Sequence, residues 1–156
     1  MTTGTVPTSA APEAITRMAR PELDRLFRES PTGPIPAGRA RGTAIVFPGS
    51  PVDRVISSLV RALIWKGKVF DPRTGDLKNR MGPLGTLLIR ARVYQDRSWF
   101  ADGRAVILDY SKTSLVARMI RDEIRQVSPG VYLGQVYWGK RRVALFMLEF
   151  GAGASR

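Results

Sequence analysis

Between residues 86 and 95 apolar and charged side chains alternate one for one. Leu87, Ile89, Ala91 and Val93 share one side, and Arg90 and Arg92 the other. An extended strand repeats every two residues, so this stretch must lie with one face buried and one face wet. Other segments carry the same signature. Residues 68–71 and 76–81 flank the turn residues Pro72-Arg-Thr-Gly75, and a strand over 105–110 follows a turn at 101–104. Residues 131–138 and 142–150, rich in β-branched and aromatic side chains, form a closing hairpin around Gly139-Lys140. An earlier strand, 43–47, stops at Pro48-Gly49.

Segment 114–127 reads two ways. Val116, Ile120, Ile124 and Val127 suit a helical stripe, whereas Ile120, Asp122, Ile124 and Gln126 suit one face of a strand. Because Pro129-Gly130 leads directly into Val131, a short helical turn at 115–118 followed by a strand is the better reading.

Two helices complete the pattern. Over 51–66, Ser50 caps, Pro51 suits the first turn, and Val52, Val55, Ile56, Leu59, Val60 and Leu63 form one stripe. Over 21–29, Pro21 opens a short helix with Leu23, Leu26 and Phe27 on one face, and the Pro/Gly-rich run 30–38 ends it. About eight antiparallel strands joined by short turns close into a barrel. The expected fold is therefore mainly β, with one inserted amphipathic helix and a short N-terminal helix. The expected layout is a disordered lead at 1–12, a wrapping segment at 13–40, a barrel domain at 41–150 and a tail at 151–156.

Several function classes fall away on composition. Cysteine and histidine are both absent from the 156 residues, which removes the usual zinc, haem and iron–sulfur ligands and the His-dependent nucleophiles. No Asp/Glu spacing resembles a Mg²⁺ or Ca²⁺ site, so no metal and no cofactor is expected, and acid–base chemistry falls to Asp, Glu, Tyr, Lys or Arg. The net charge of +12 attracts anions, but its 20 arginines are scattered along the chain, which argues against a nucleic-acid partner. No apolar run is long enough to span a bilayer and no signal pattern opens the chain. A cytoplasmic monomer or homodimer with no membrane partner is expected.

A barrel of this size can hold one small molecule, so polar residues on the apolar inner face are the candidates. Asp122 lies between Ile120 and Ile124, Arg118 four residues earlier, and Asp109 two residues after Ile107. A carboxylate there is either paired or raised in pKa, which suits acid–base work; the competing reading is a structural Asp122–Arg118 ion pair or a solvated one. Tyr94, Trp99, Tyr110, Tyr132 and Trp138 are candidates to line a substrate cavity, against their more ordinary use as core or rim. Lys66 and Lys68 flank Gly67, where a buried lysine could hold an anion or form a Schiff base and an exposed one would complement a helix end.

The run Asp109-Tyr110, then Arg118-Met-Ile-Arg121-Asp122, then Gly130-Val-Tyr132 resembles the phenolic acid decarboxylases over about thirty residues. That resemblance implies a lipocalin-like barrel without a cofactor, and it implies that Arg118 holds a substrate carboxylate. The family's first-strand tyrosine pair has no counterpart in 43–47, and its glutamate falls near Trp138, so the resemblance bears on the fold more than on the reaction. The expected partner is a small, largely apolar molecule with anionic character, transformed in a lyase, isomerase or cyclase step with Arg118 on an oxyanion and Asp122 or Asp109 moving a proton. The alternatives are a carrier of the same kind of molecule and a basic nucleic-acid module.

Overall fold

The computed structural model describes residues 10–45, 67–81, 87–113 and 117–151. Eight strands run through them: β1 Gly38–Ile45, β2 Gly67–Asp71, β3 Asp76–Met81, β4 Leu87–Arg97, β5 Arg104–Asp109, β6 Ile120–Ser128, β7 Val131–Trp138 and β8 Arg141–Phe150. Each pairs antiparallel with the next, and β8 returns to β1 from Ala40↔Phe150 to Ile45↔Leu145, closing the barrel. The mainly β fold is as the alternation predicts. The expected helix over 51–66 and Lys66 lie outside the described residues.

Two boundaries differ from expectation. The first strand begins at Gly38 rather than at 43. Its early residues are Gly, Arg and Ala, which carry no strand signal of their own; their backbone is held by β2 and β8 on either side. The chain before the barrel is also helical earlier than read, with a single turn α1 at Pro12–Ile15 ahead of α2 at Arg20–Glu29. In the ambiguous segment a 3-10 turn, Ala117–Met119, leads into β6, as the turn-then-strand reading has it.

The barrel has two cores. Inside, Phe70, Leu77, Ala91, Val93, Val106, Leu108, Ile124, Phe146 and Leu148 pack together. Phe146 lies across Gly134, where an added Cβ would sit 2.2 Å from its ring, so glycine makes room for the aromatic filling. Outside, α2 lays Leu23 and Phe27 on Val127, Leu133, Leu145 and Met147 of β6, β7 and β8. Each such fully buried side chain contributes roughly 1.5–3 kcal/mol.

Polar bonds fix this N-terminal segment in place. The Glu22 carboxylate accepts the Ala19 N–H at 2.7 Å and so caps α2. At the other end of the helix, the Arg125 guanidinium donates to the carbonyls of Phe27, Arg28 and Ser30 at 3.1–3.3 Å. A cation on the last carbonyls of a helix satisfies acceptors that have no intrahelical partner.

Residues 30–37 then cross one end of the barrel. Tyr132 Oη donates to the Pro34 carbonyl at 2.7 Å, Gln95 Nε2 to that of Gly33 at 3.1 Å, and Thr32 Oγ1 to that of Arg104 at 2.9 Å. Gly33 has φ +72, and a Cβ on it would fall 2.5 Å from Gln126 Cβ, so a larger residue fits neither the conformation nor the space. This segment stoppers the end that carries the 72–75 and 129–130 turns. The opposite end carries the 139–140 turn and the 3-10 turn.

Candidate functional site

Toward that opposite end the apolar interior is interrupted by four polar side chains. Lys68, Asn79, Tyr110 and Asp122 all take inward positions, next in alternation to Phe70, Leu77, Leu108 and Ile124. Lys68 and Asn79 face each other directly across β2 and β3, and Asp122 sits opposite Leu108 of β5. Lys68 Nζ donates to Asn79 Oδ1 at 2.7 Å, to Tyr110 Oη at 2.7 Å and to Asp122 Oδ2 at 3.2 Å. Asn79 Nδ2 donates to Tyr110 Oη at 2.6 Å, which leaves the phenol proton for Asp122 Oδ2 at 3.3 Å. Below them, the Phe146 ring lies 5.2 Å from Lys68 Nζ. Asp122 Oδ1 is buried and has no hydrogen-bond partner.

Burial shapes the electrostatics of this layer. It pushes the Lys68 ammonium below its ordinary pKa, with Asp122 pulling the other way. It pushes the Asp122 carboxyl up, opposed by Lys68 and by the bonds from Lys68 and Tyr110. The Tyr110 phenol lies well above its ordinary value, first from burial and then from the Asp122 charge. Burial thus works against charge on both members of the pair, and their mutual attraction and hydrogen bonds work for it.

The sequence candidates divide between this interior layer and the outer surface. Asp122 and Tyr110 are inside. The cation on Asp122 is Lys68 rather than Arg118, because the 3-10 turn carries Arg118 out of the strand's alternation to an exposed position. Asp109 is also outside, a correction to its reading as inward: β5 is apolar on both faces, so its parity is ambiguous, and Leu108 and Tyr110 take the inner side. A hollow of about 560 Å³ on the outer face gathers Arg118, Asp109, Tyr94 and Trp99 with Arg121 and Lys140. There Tyr94 Oη donates to Asp109 Oδ2 at 3.0 Å. Partial burial works to raise Asp109, but bonds from Ser111 and Tyr94 outweigh it and hold the carboxyl below its usual value. Trp99 stacks under the Arg121 guanidinium at 3.9 Å. Tyr132 is spent on the stoppered end, and Trp138 stands half exposed at the opposite rim.

The pattern reading missed Lys68 as the partner of Asp122, and Asn79, which bonds Lys68 and Tyr110. The signal for Lys68 was its parity with Phe70, two residues on; Asn79 stands in the same relation to Leu77. A second buried polar group lies on the outer face of the barrel. Glu123 accepts from Ser98 Oγ at 2.6 Å, the Trp99 N–H at 3.0 Å and Arg121 Nη1 at 2.8 Å. The 98–103 loop, which supplies two of these donors, folds over β6 at this point. Among the described residues, no group of His, Cys, Asp or Glu is placed to hold a metal ion, and no helix is long and apolar enough to cross a membrane.

No protein-family profile and no curated protein matches the chain. Among solved structures it is similar to a crystal structure of a protein from Thermomonospora curvata, at 19% identity and a TM-score of 0.61, over 86% of this chain and 89% of that one. A likeness at that identity is one of fold alone.

Proposed function

We propose that the barrel binds a small, largely apolar molecule in its interior, seated on the Lys68–Asn79–Tyr110–Asp122 layer from the end away from residues 30–37. The observation that carries this reading is a buried carboxylate oxygen without a partner, inside a barrel whose other inward residues are largely apolar. A buried ion pair is a poor way to stabilise a fold, since apolar residues of the same volume do as well or better. Four polar side chains on one inner layer are better accounted for by something they hold.

A specific contact supports a second reading, in which the bound molecule also exchanges a proton. Lys68 Nζ and Tyr110 Oη are 2.7 Å apart, and burial shifts both groups toward their neutral forms. That pair would serve the lyase, isomerase or cyclase step expected from the sequence, with Asp122 completing it. Arg118 belongs to the outer hollow in this scheme.

Native mass spectrometry of protein purified from its own host, before and after denaturation, tests the binding reading. The expected result is release of an apolar small molecule from the wild type and none from a folded Lys68→Met/Asp122→Leu variant. The same load on both proteins would remove the polar layer from the account. Nucleic acid recovered instead, and stripped by salt, would move the function to the basic exterior.

A further inference from the structure

We infer that the molecule bound in the barrel presents a neutral hydrogen-bond donor, a hydroxyl or an amide N–H, to Asp122 Oδ1. The inference rests on the binding reading above and adds the chemical class of the ligand's polar end. Three acceptors stand around the three protons of Lys68 Nζ: Asn79 Oδ1, Tyr110 Oη and Asp122 Oδ2. Tyr110 Oη accepts twice and donates once. The atom left without a partner is therefore an acceptor, and it is a carboxylate oxygen, which takes up to two donors.

The charge count decides which donor fits. Lys68 and Asp122 are both nearly fully buried and form a 1:1 ion pair. Among the described residues the layer thus offers no surplus negative charge to balance an ammonium, and a buried cation without a counter-charge is disfavoured. It offers no surplus positive charge either, so a carboxylate would face Asp122 Oδ1 with repulsion. A neutral donor on an apolar body satisfies the oxygen and leaves the charge count at zero.

Matched probes test this on the full-length protein: primary alcohols of six to twelve carbons with their methyl ethers, 2-naphthol with 2-methoxynaphthalene, and decylamine, all measured by calorimetric titration. The expected result is that at least one alcohol or phenol binds, about tenfold or more tighter than its ether, and that 1-decanol binds tighter than decylamine. The Asp122→Asn variant keeps an acceptor toward Lys68 and places an N–H₂ where Oδ1 stands, so its preference should invert toward the ether. Equal binding of donor and ether by the wild type would overturn the inference, with a structural water satisfying Oδ1, and would leave the binding reading standing. Tightest binding of decylamine would also overturn it, in favour of a cationic ligand. Binding of no probe would overturn both readings. If Asp122→Asn does not fold, the wild-type alcohol-to-ether ratio decides by itself.

Discussion

Asp122 concentrates the physical tension of this molecule: a carboxylate in an apolar barrel, paired through one oxygen and bare at the other. Removing its cation should be costly. Lys68→Met is expected to lose about 3–5 kcal/mol by urea denaturation, because a lone buried charge remains. Lys68→Met/Asp122→Leu should recover most of that loss, since an apolar layer carries no desolvation cost. A double variant as unstable as the single one would mean that the layer serves the fold itself. Tyr132 makes a separate prediction at high pH. Burial lifts its phenol from 10.0 to about 12. A folded pKa raised above the unfolded one adds stability that is complete below pH 10 and is lost as pH rises through about 12. Ionisation also removes the proton donated to Pro34. Stability measured across that window should fall more steeply in the wild type than in Tyr132→Phe. Alternation alone marked Asp122 as inward, yet its partner was not legible: Lys68 lies 54 residues away, and barrel closure brings the two together.

At the scale of elements, β6 is informative because both of its faces are buried. Its inner face, Asp122 and Ile124, follows the period-two pattern. The outer face carries Glu123 and Arg125, charged residues that are buried under the N-terminal segment and the 98–103 loop. Arg125 is the fastening for α2. Arg125→Leu should cost about 2–3 kcal/mol and speed hydrogen exchange in the amides of residues 20–29, as the helix end loses its donors. Arg125→Lys should rescue little, because one ammonium cannot reproduce a planar fork that serves several carbonyls. On β7, Gly134→Ala would drive a methyl into the Phe146 ring and is expected to cost about 1–3 kcal/mol, with Gly134→Ala/Phe146→Leu regaining stability in the same denaturation assay.

At the scale of the whole molecule, the segment before β1 acts as part of the fold: it covers an apolar outer face with α2 and stoppers one end with residues 30–37. A chain lacking residues 1–29 should keep its β-type circular dichroism, bind an apolar fluorescent dye more strongly and unfold at lower denaturant, because Leu133, Leu145 and Met147 would face water. The eight strands, most of their turns and the inward placement of Asp122 were determined by the sequence alone, since side-chain alternation and turn residues act over a few positions. Two features were decided only by tertiary structure. These are the outward turn of Arg118 and Asp109 into a separate hollow, and the pairing of Asp122 with Lys68. Each depends on which distant strand lies alongside and which face a curved sheet encloses. A local period carries that information only where one face of the strand is visibly polar, and β5, apolar on both sides, has no such face to read.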